Sequence, residues 1–526
     1  MALDYIVPIG HDDGRRIASA LEIIAGRAVL EYDETTGEYT NASIAAYLSA
    51  HRDGLAYGVS IPKGNAVACT KIGANAGIPN PTPGIVGRAA VDPYVGRGPF
   101  FFIYVNATVD ANGYPHVTAV EGDGKFRIDG SNGDVWILAP VLYYLLDESL
   151  VMLDESLVTA VTLSVSDTRL AGMAPQPQAY LPDGTLRPYM LYAAYVGVKG
   201  SDGYMHSYSG LPAWVSAPSH NALITECRTA TTGYSGKSIG DDFYIKAMFL
   251  LKYATKHSQS VFAGCTSYNL NYAVTVAESN VTRAIIAKAN AANLVVGSTV
   301  AIGTADKGEQ IAGKSKILKI EDYDSNNSAV YLDTATAFTT AVGNKLCTLP
   351  WFSGMLNAVE GDGTITDAGR TNGKEPFKLQ GIELAMGCNE VLGDVILDYD
   401  GTNPPEICIN YDSRNEATSV TSNYTRTGKR LHADASEGWH YPVYPSNAGG
   451  LLYGAGNGAS TTAGMCDGHY MNTISTVGTR EWLGLGHLNG GANAGVWYVL
   501  AAYGLGDAYW YIGSRLSGIG RSRAAA

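Results

Sequence analysis

Apolar positions recur at helical spacing in DGRRIASALEIIA (13–25), where Ile17, Ala20, Leu21 and Ile24 share one stripe. TNASIAAYLS (40–49) starts a second short helix behind a Thr/Asn cap. The first stripe is too short for a coiled coil, so it reads as core packing, with a docking or trimerising segment as the alternative. From about 56 to 232 the pattern turns to strands and turns. FFFIYVNATVDANGYPHVTAV (100–120) predicts a hairpin with Asn112-Gly113 at its turn, and GSNGDVWILAPV (130–141) continues the texture. LDESLV stands at 146–151 and again at 153–158, a single local duplication rather than a repeat architecture.

DDFYIKAMFLLKYATKH (241–257) predicts a buried helix with an Asp cap, apolar Ile245, Met248, Phe249 and Leu251, and basic Lys252, Lys256 and His257 near its end. LVVGSTVAIG (294–303), KILKIEDY (316–323) and AVYLDT (329–334) alternate like strands of a small β-barrel ending near Trp351. Mixed patterning resumes at GKEPFKLQGIELAMGCNEVLGDVILDY (373–399). The expected fold class is therefore α+β and β-rich, multidomain. A helical segment (1–55) precedes a β-rich region (56–232), and a domain over 233–526 is interrupted by a small inserted barrel (270–350).

At 526 residues the chain is long for one core, and the length alone gives roughly three or four domains. Sixty-two glycines and 34 tyrosines agree with β-rich, turn-rich structure rather than helical bundles. A net charge of −13 without a basic cluster argues against nucleic acid as a partner. Runs such as YMLYAAYVGV (189–198) are too short to span a bilayer, so no membrane insertion is expected, and MALDYIVPIGHDDGRR shows no secretion signal. The seven cysteines are odd in number and form no CxxC, which reads as buried free thiols made in a reducing cytoplasm.

Three candidate chemistries follow from local motifs. GEQIAGKS (308–315) matches the phosphate-loop pattern, with Lys314 and Ser315 in the reactive places, but a strand-like KILKIEDYD follows where a helix is required. A lysine-bearing hairpin loop is the expectation. LDYDGTN (397–403) and EDYDSNN (321–327) cluster oxygens without a full calcium ladder, and read as turns. His432 and His440 flank Asp434, Glu437 and Trp439 as a site or, more simply, a hydrogen-bonded core cluster. No catalytic spacing such as GxSxG or HExxH is present, and no metal or cofactor is expected.

The C-terminal stretch GVWYVLAAYGLGDAYWYIGSRLS (495–517) alternates from Asp507, with Asp507, Tyr509 and Tyr511 on one face and Ala508, Trp510 and Ile512 on the other. That pattern predicts a strand buried on its second face. Arg480, Gly486, Gly491, Ala494-Gly495, Val496 and the closing WYIGSRLS resemble the C-type-lectin-fold variable proteins of diversity-generating retroelements, a family with phage tropism determinants among its members. The resemblance is strongest over 480–517 and weaker over 373–479 and the 241–265 helix.

In that family a reverse transcriptase rewrites template adenines, so asparagine codons diversify while neighbouring positions stay fixed. The resemblance implies a variable ligand-binding surface of His487, Asn489, Leu500, Ala502, Tyr503, Asp507, Tyr509 and Tyr511, with Trp510, Ile512, Gly513 and Arg515 as scaffold. Each residue type in the variable set is reachable from an Asn codon by changing adenines alone. Tyrosine suits such a surface because it offers amphipathic contact area at small entropic cost. The plainer reading is aromatic strand residues of a β-rich domain.

Leu485 and Leu488 depart from the family pattern, where Gly and Trp are expected. EPF (375–377) in place of EPN, with no WND, leaves out calcium-dependent sugar binding. The resemblance thus implies a binder rather than an enzyme: a phage tail-fibre receptor-binding protein made in the bacterial cytoplasm and carried on the virion. Its partners would be a bacterial surface receptor, protein or glycan, other tail proteins and further copies of itself in a trimer. The alternatives are a structural virion or cell-surface protein without its own ligand, and a formylglycine-generating-type enzyme. The cysteine pair that enzyme needs is missing, because only Cys466 lies beyond Cys408.

Overall fold

The helix Ile239–Tyr253 lies at the centre of the molecule, and all 15 of its residues are buried. Its cap is Ser238, not the expected aspartate: the Ser238 hydroxyl accepts from the Asp241 N–H, and the Asp241 carboxylate accepts from the Ser238 N–H at 2.8 Å. This reciprocal box satisfies two donors that the first helical turn leaves unpaired. The left-handed Ala254 (φ 47°) ends the helix. Burial on every side leaves its charged residues no water, so each needs a partner. Lys246 meets Asp242 at 2.6 Å, and Lys252 meets Asp92 at 2.7 Å and Asp362 at 2.5 Å.

The computed structural model describes residues 28–148, 150–153, 156–432 and 436–522. The expected helix over 13–25 lies outside them. The protein is strand-rich and multidomain, with 11 % of it helical. Among the described residues no helix is long and apolar enough to cross a membrane. The second short helix forms over Asn41–Ala50, capped by Thr40.

The described residues form three large open sheets, three two-stranded sheets and a closed barrel, and the central helix packs against Tyr57–Pro62, Phe377–Leu379, Asn389–Asp400, Leu451–Ala455 and Gly495–Ala501. The first sheet has eight strands, ordered Tyr32–Asp33, Glu38–Tyr39, Pro115–Val120, Ile103–Val109, Asp134–Ala139, Met190–Ala193, Leu516–Gly518 and Tyr234–Gly236. The expected hairpin joins two of these, with Gly113 at φ 81° in its turn. The sheet crosses residue 232, because the penultimate strand comes from the C-terminus and pairs with both Tyr192 and Ser517's other neighbour, Ser235. In the second sheet Tyr57–Pro62 and Tyr143–Asp147 flank Ser156–Ser166, which also pairs with Leu150–Leu153. Parts of the duplicated LDESLV, Leu150–Leu153 and the start of Ser156–Ser166, thus pair antiparallel with each other.

The third sheet orders Tyr424–Arg430, Glu406–Asn410, Asn389–Asp400, Val477–Leu485, Gly495–Ala501, His469–Met471 and Gly438–His440. Ile512–Gly513 adds in parallel beside Asn389 and Glu390. The barrel is closed by six strands between Asn271 and Thr348, and packs Val274, Ile286, Val300, Ile302, Ile317, Val330 and Leu346 inside.

A buried ionic chain links these parts. Arg515 grips Glu390 at 2.5 and 3.0 Å, Lys237 adds to the same carboxylate at 3.1 Å, and Lys237 and Lys246 both reach Asp242. Burial alone would raise the Glu390 carboxyl, but Arg515 and Lys237 hold it down at about 2. Removing one member strands a buried charge, which costs far more than losing the pair as a whole. Glu390→Gln should therefore destabilise by about 3–5 kcal/mol in urea denaturation, and Arg515→Met with Glu390→Met should recover a large part of that loss.

Candidate functional site

After Ala501 the chain leaves the third sheet, and the expected strand from Asp507 does not form. Residues 502–511 make a loop, and only Ile512–Gly513 pairs as strand. The period-two pattern is overridden because loop-internal and side-chain partners satisfy the backbone. Asp507 accepts from the Gly504 N–H at 2.8 Å, and the Asp507 N–H returns to the Gly504 carbonyl at 3.0 Å. Outside donors complete the closure: the N–H groups of Ser216, Asn221, Glu481 and Asn389 reach the carbonyls of Tyr509, Leu505, Tyr503 and Tyr511.

This loop gathers the tyrosines. Tyr503 and Tyr511 share a hydroxyl hydrogen bond of 2.6 Å, Tyr509 stacks on Tyr511 at 5.5 Å and 11°, and Tyr503 approaches Tyr509 at 5.2 Å. His487 arrives from the loop after Val477–Leu485 and stacks on Tyr511 at 4.4 Å. Burial, with Lys307 nearby, pushes its imidazole down to about 4, so it stacks as a neutral ring at pH 7. Tyr509 is 42 % exposed and Asn489 is exposed, while Ala502, Tyr503, Asp507 and Tyr511 are half-buried.

Two site assignments need correction. Leu500 is not on the surface: it is 8 % exposed on the strand Gly495–Ala501, flanked in the sheet by Leu483 and Tyr470. Trp510 is not buried behind the tyrosines. It is half-buried against the barrel, edge-on to Tyr511 at 5.1 Å, with the Lys307 ammonium 4.5 Å from its ring centre. Lys307 in turn donates to the Thr348 carbonyl at 2.7 Å. Ile512, Gly513 and Arg515 are fully buried, and a Cβ on Gly513 would lie 3.0 Å from the Trp214 carbonyl.

The remaining motifs resolve into structure. Lys314 and Ser315 lie in the strand Ala312–Asp322, and the barrel lysine that reaches the tyrosine loop is Lys307 instead. Asp324 and Asp400 spend their oxygens on N–H groups two and three residues ahead, as turn residues do. His432 bonds His469 at 2.8 Å with His440 stacked 5.3 Å away, a core cluster; Asp434 lies outside the described residues. Among the described residues no group of three or more His, Cys, Asp or Glu is arranged to hold a metal. All seven cysteines are free thiols and six are buried.

Sequence reasoning did not assign Tyr470 or Tyr498 to the site. Trp439 contacts both, at 5.3 and 5.6 Å, and extends the aromatic surface along the neighbouring strands. Only cross-strand register brings these residues together, so no local pattern announces them. No protein-family model and no curated protein matches the chain.

Beneath the loop, burial and the nearby Asp507 push the Glu481 carboxyl up to about 8, against the His220 N–H it accepts. Burial likewise raises Asp467 to about 8 and Asp394 and Glu383 to about 7. A raised carboxyl keeps its proton in the folded state after the unfolded chain has lost its own. Stability then falls as pH climbs from the unfolded value toward the folded one. The urea midpoint should accordingly be higher near about pH 5.5 than near about pH 8.5, and Glu481→Gln should narrow the difference.

Proposed function

We propose that this protein is a receptor-binding protein of a phage tail whose C-terminal domain has a C-type-lectin-like fold and presents a retroelement-diversified surface to a bacterial receptor. The observation that carries the reading is the aromatic loop: Tyr503, Tyr509, Tyr511 and His487 meet at its surface, while the flanking Ile512–Arg515 are locked inside. A face tolerant of residue change on a frame that is not suits repeated sampling of ligands. Aromatic side chains with polar tips serve such a face because they order cheaply and contact both apolar and polar partners.

The protein acts as a binder, not a catalyst, and sits on the virion with other tail proteins. It assembles as a homotrimer, since one small sampled face binds weakly and linked copies gain roughly 10²–10⁴ in avidity without a new contact. The direct test is attachment of the labelled full chain to bacterial cells of a susceptible strain. Tyr503→Ala with Tyr509→Ala should lower attachment by about tenfold or more, as loss of aromatic anchors does, with an unchanged melting temperature. Attachment equal to that of the unaltered chain would remove the reading.

A further inference from the structure

We propose that Trp439, Tyr470 and Glu437 form a saccharide subsite at the end of the third sheet, which takes a neutral pyranose ring on the indole face. Gly438–His440 is the outermost strand there, and Trp439 stands directly opposite Tyr470. The benzo ring of the indole lies against Gly468, where a Cβ would come within 2.7 Å of Cε3, so a residue without a side chain fits there. Tyr470 meets the ring nearly edge-on at 76°, and the buried Tyr498 tilts against it at 46°. The indole is therefore held by Gly468, Tyr470 and Tyr498, yet 36 % of Trp439 stays in solvent.

The polar half of the subsite is equally fixed. The Tyr470 hydroxyl donates to Glu437 Oε1 at 3.1 Å, which holds an exposed carboxylate beside the ring and leaves its second oxygen to accept. A pyranose matches this pair of surfaces. Its C–H face is apolar and weakly positive and stacks on a π face, while its hydroxyl rim donates charge-assisted hydrogen bonds to a carboxylate. Acidic sugars are disfavoured by the same carboxylate and by the chain's net charge of −13. Tyr470 and Tyr503 pack against the same buried cluster, which holds Tyr498 and Leu500, so the subsite adjoins the tyrosine loop. Fixed residues would anchor a common sugar, and the sampled loop would choose among its surroundings.

The subsite rests on the attachment reading for its biological use, but sugar binding is measured without it. Tryptophan fluorescence of the full chain is titrated with methyl β-D-glucoside, methyl β-D-galactoside, N-acetylglucosamine and, as a cationic peptide, tetralysine. At least one sugar should give a saturable change with a dissociation constant on the order of 1 mM. Trp439→Ala should weaken it about tenfold, Glu437→Gln, on an exposed side chain, about threefold, and the barrel-surface Val342→Ser not at all. The proposal is overturned if no sugar saturates, if only tetralysine binds, or if saturation survives both Trp439→Ala and Glu437→Gln. A lack of sugar binding alongside lost cell attachment in the Tyr503/Tyr509 variant would sink the subsite and leave the attachment reading standing.

Discussion

Arg515 is a permanent cation with 1 % of its side chain exposed, and the rest of the structure is arranged around that fact. It needs a carboxylate in bidentate reach, which Glu390 supplies from the third sheet, and it needs acceptors for its remaining donors. The carbonyls of Ala193 and Glu383 take that role from two other parts of the chain. The C-terminal segment is thus pinned where four chain regions meet. Immediately before Arg515, Ile512–Gly513 pairs with the third sheet; immediately after it, Leu516–Gly518 enters the first. Lys237 and Asp242 extend the same charge chain into the central helix. A strand added last in sequence therefore joins halves that composition alone would separate.

The consequence for function is a division between a fixed frame and a presented loop. The ten residues before Ile512 do not share in sheet pairing. They are tied instead by single backbone bonds from Ser216, Asn221, Asn389 and Glu481, which depend on main-chain atoms and not on the loop's side chains. Side chains on such a loop can change while that closure stays; a change at the sampled Asp507 gives up the carboxylate bond to the Gly504 N–H but keeps the Asp507 N–H on the Gly504 carbonyl. The barrel contributes a wall to this arrangement, since Lys307 covers the Trp510 indole and Trp510 in turn stands against Tyr511. We regard the barrel as a buttress for the tyrosine face.

Legibility in the sequence followed the range of the interactions. The hairpin at Asn112-Gly113, the helix near 241–253 and the strands of the barrel rest on local periodicity and turn chemistry, and the residues announce them. Ser238 and Asp241 both satisfy the capping pattern, and only geometry separates the cap, Ser238, from its N3 partner, Asp241. The alternation of Asp507 to Ile512 predicts a strand that does not form, because period two says nothing about whether a neighbouring strand is there to pair. The resemblance assigns positions without burial, so it implies a surface Leu500 where the fold buries that side chain. Trp439 and Tyr470 are 31 residues apart and meet only through strand register. The insertion of the C-terminal strand into the first sheet is likewise a long-range pairing that no window along the chain contains.

The central claim is that a sampled surface is carried on an invariant buried frame, and the most direct measurement is sequencing of the codons for residues 480–517 across many descendants of one lineage. The account predicts substitutions gathered at codons 487, 489, 502, 503, 507, 509 and 511, each explained by changed adenines in an asparagine codon. Codons 510, 512, 513 and 515 should stay constant. Substitutions spread evenly over 480–517, or as frequent at the codons of Gly513 and Arg515 as at those of Tyr509 and Tyr511, would contradict it.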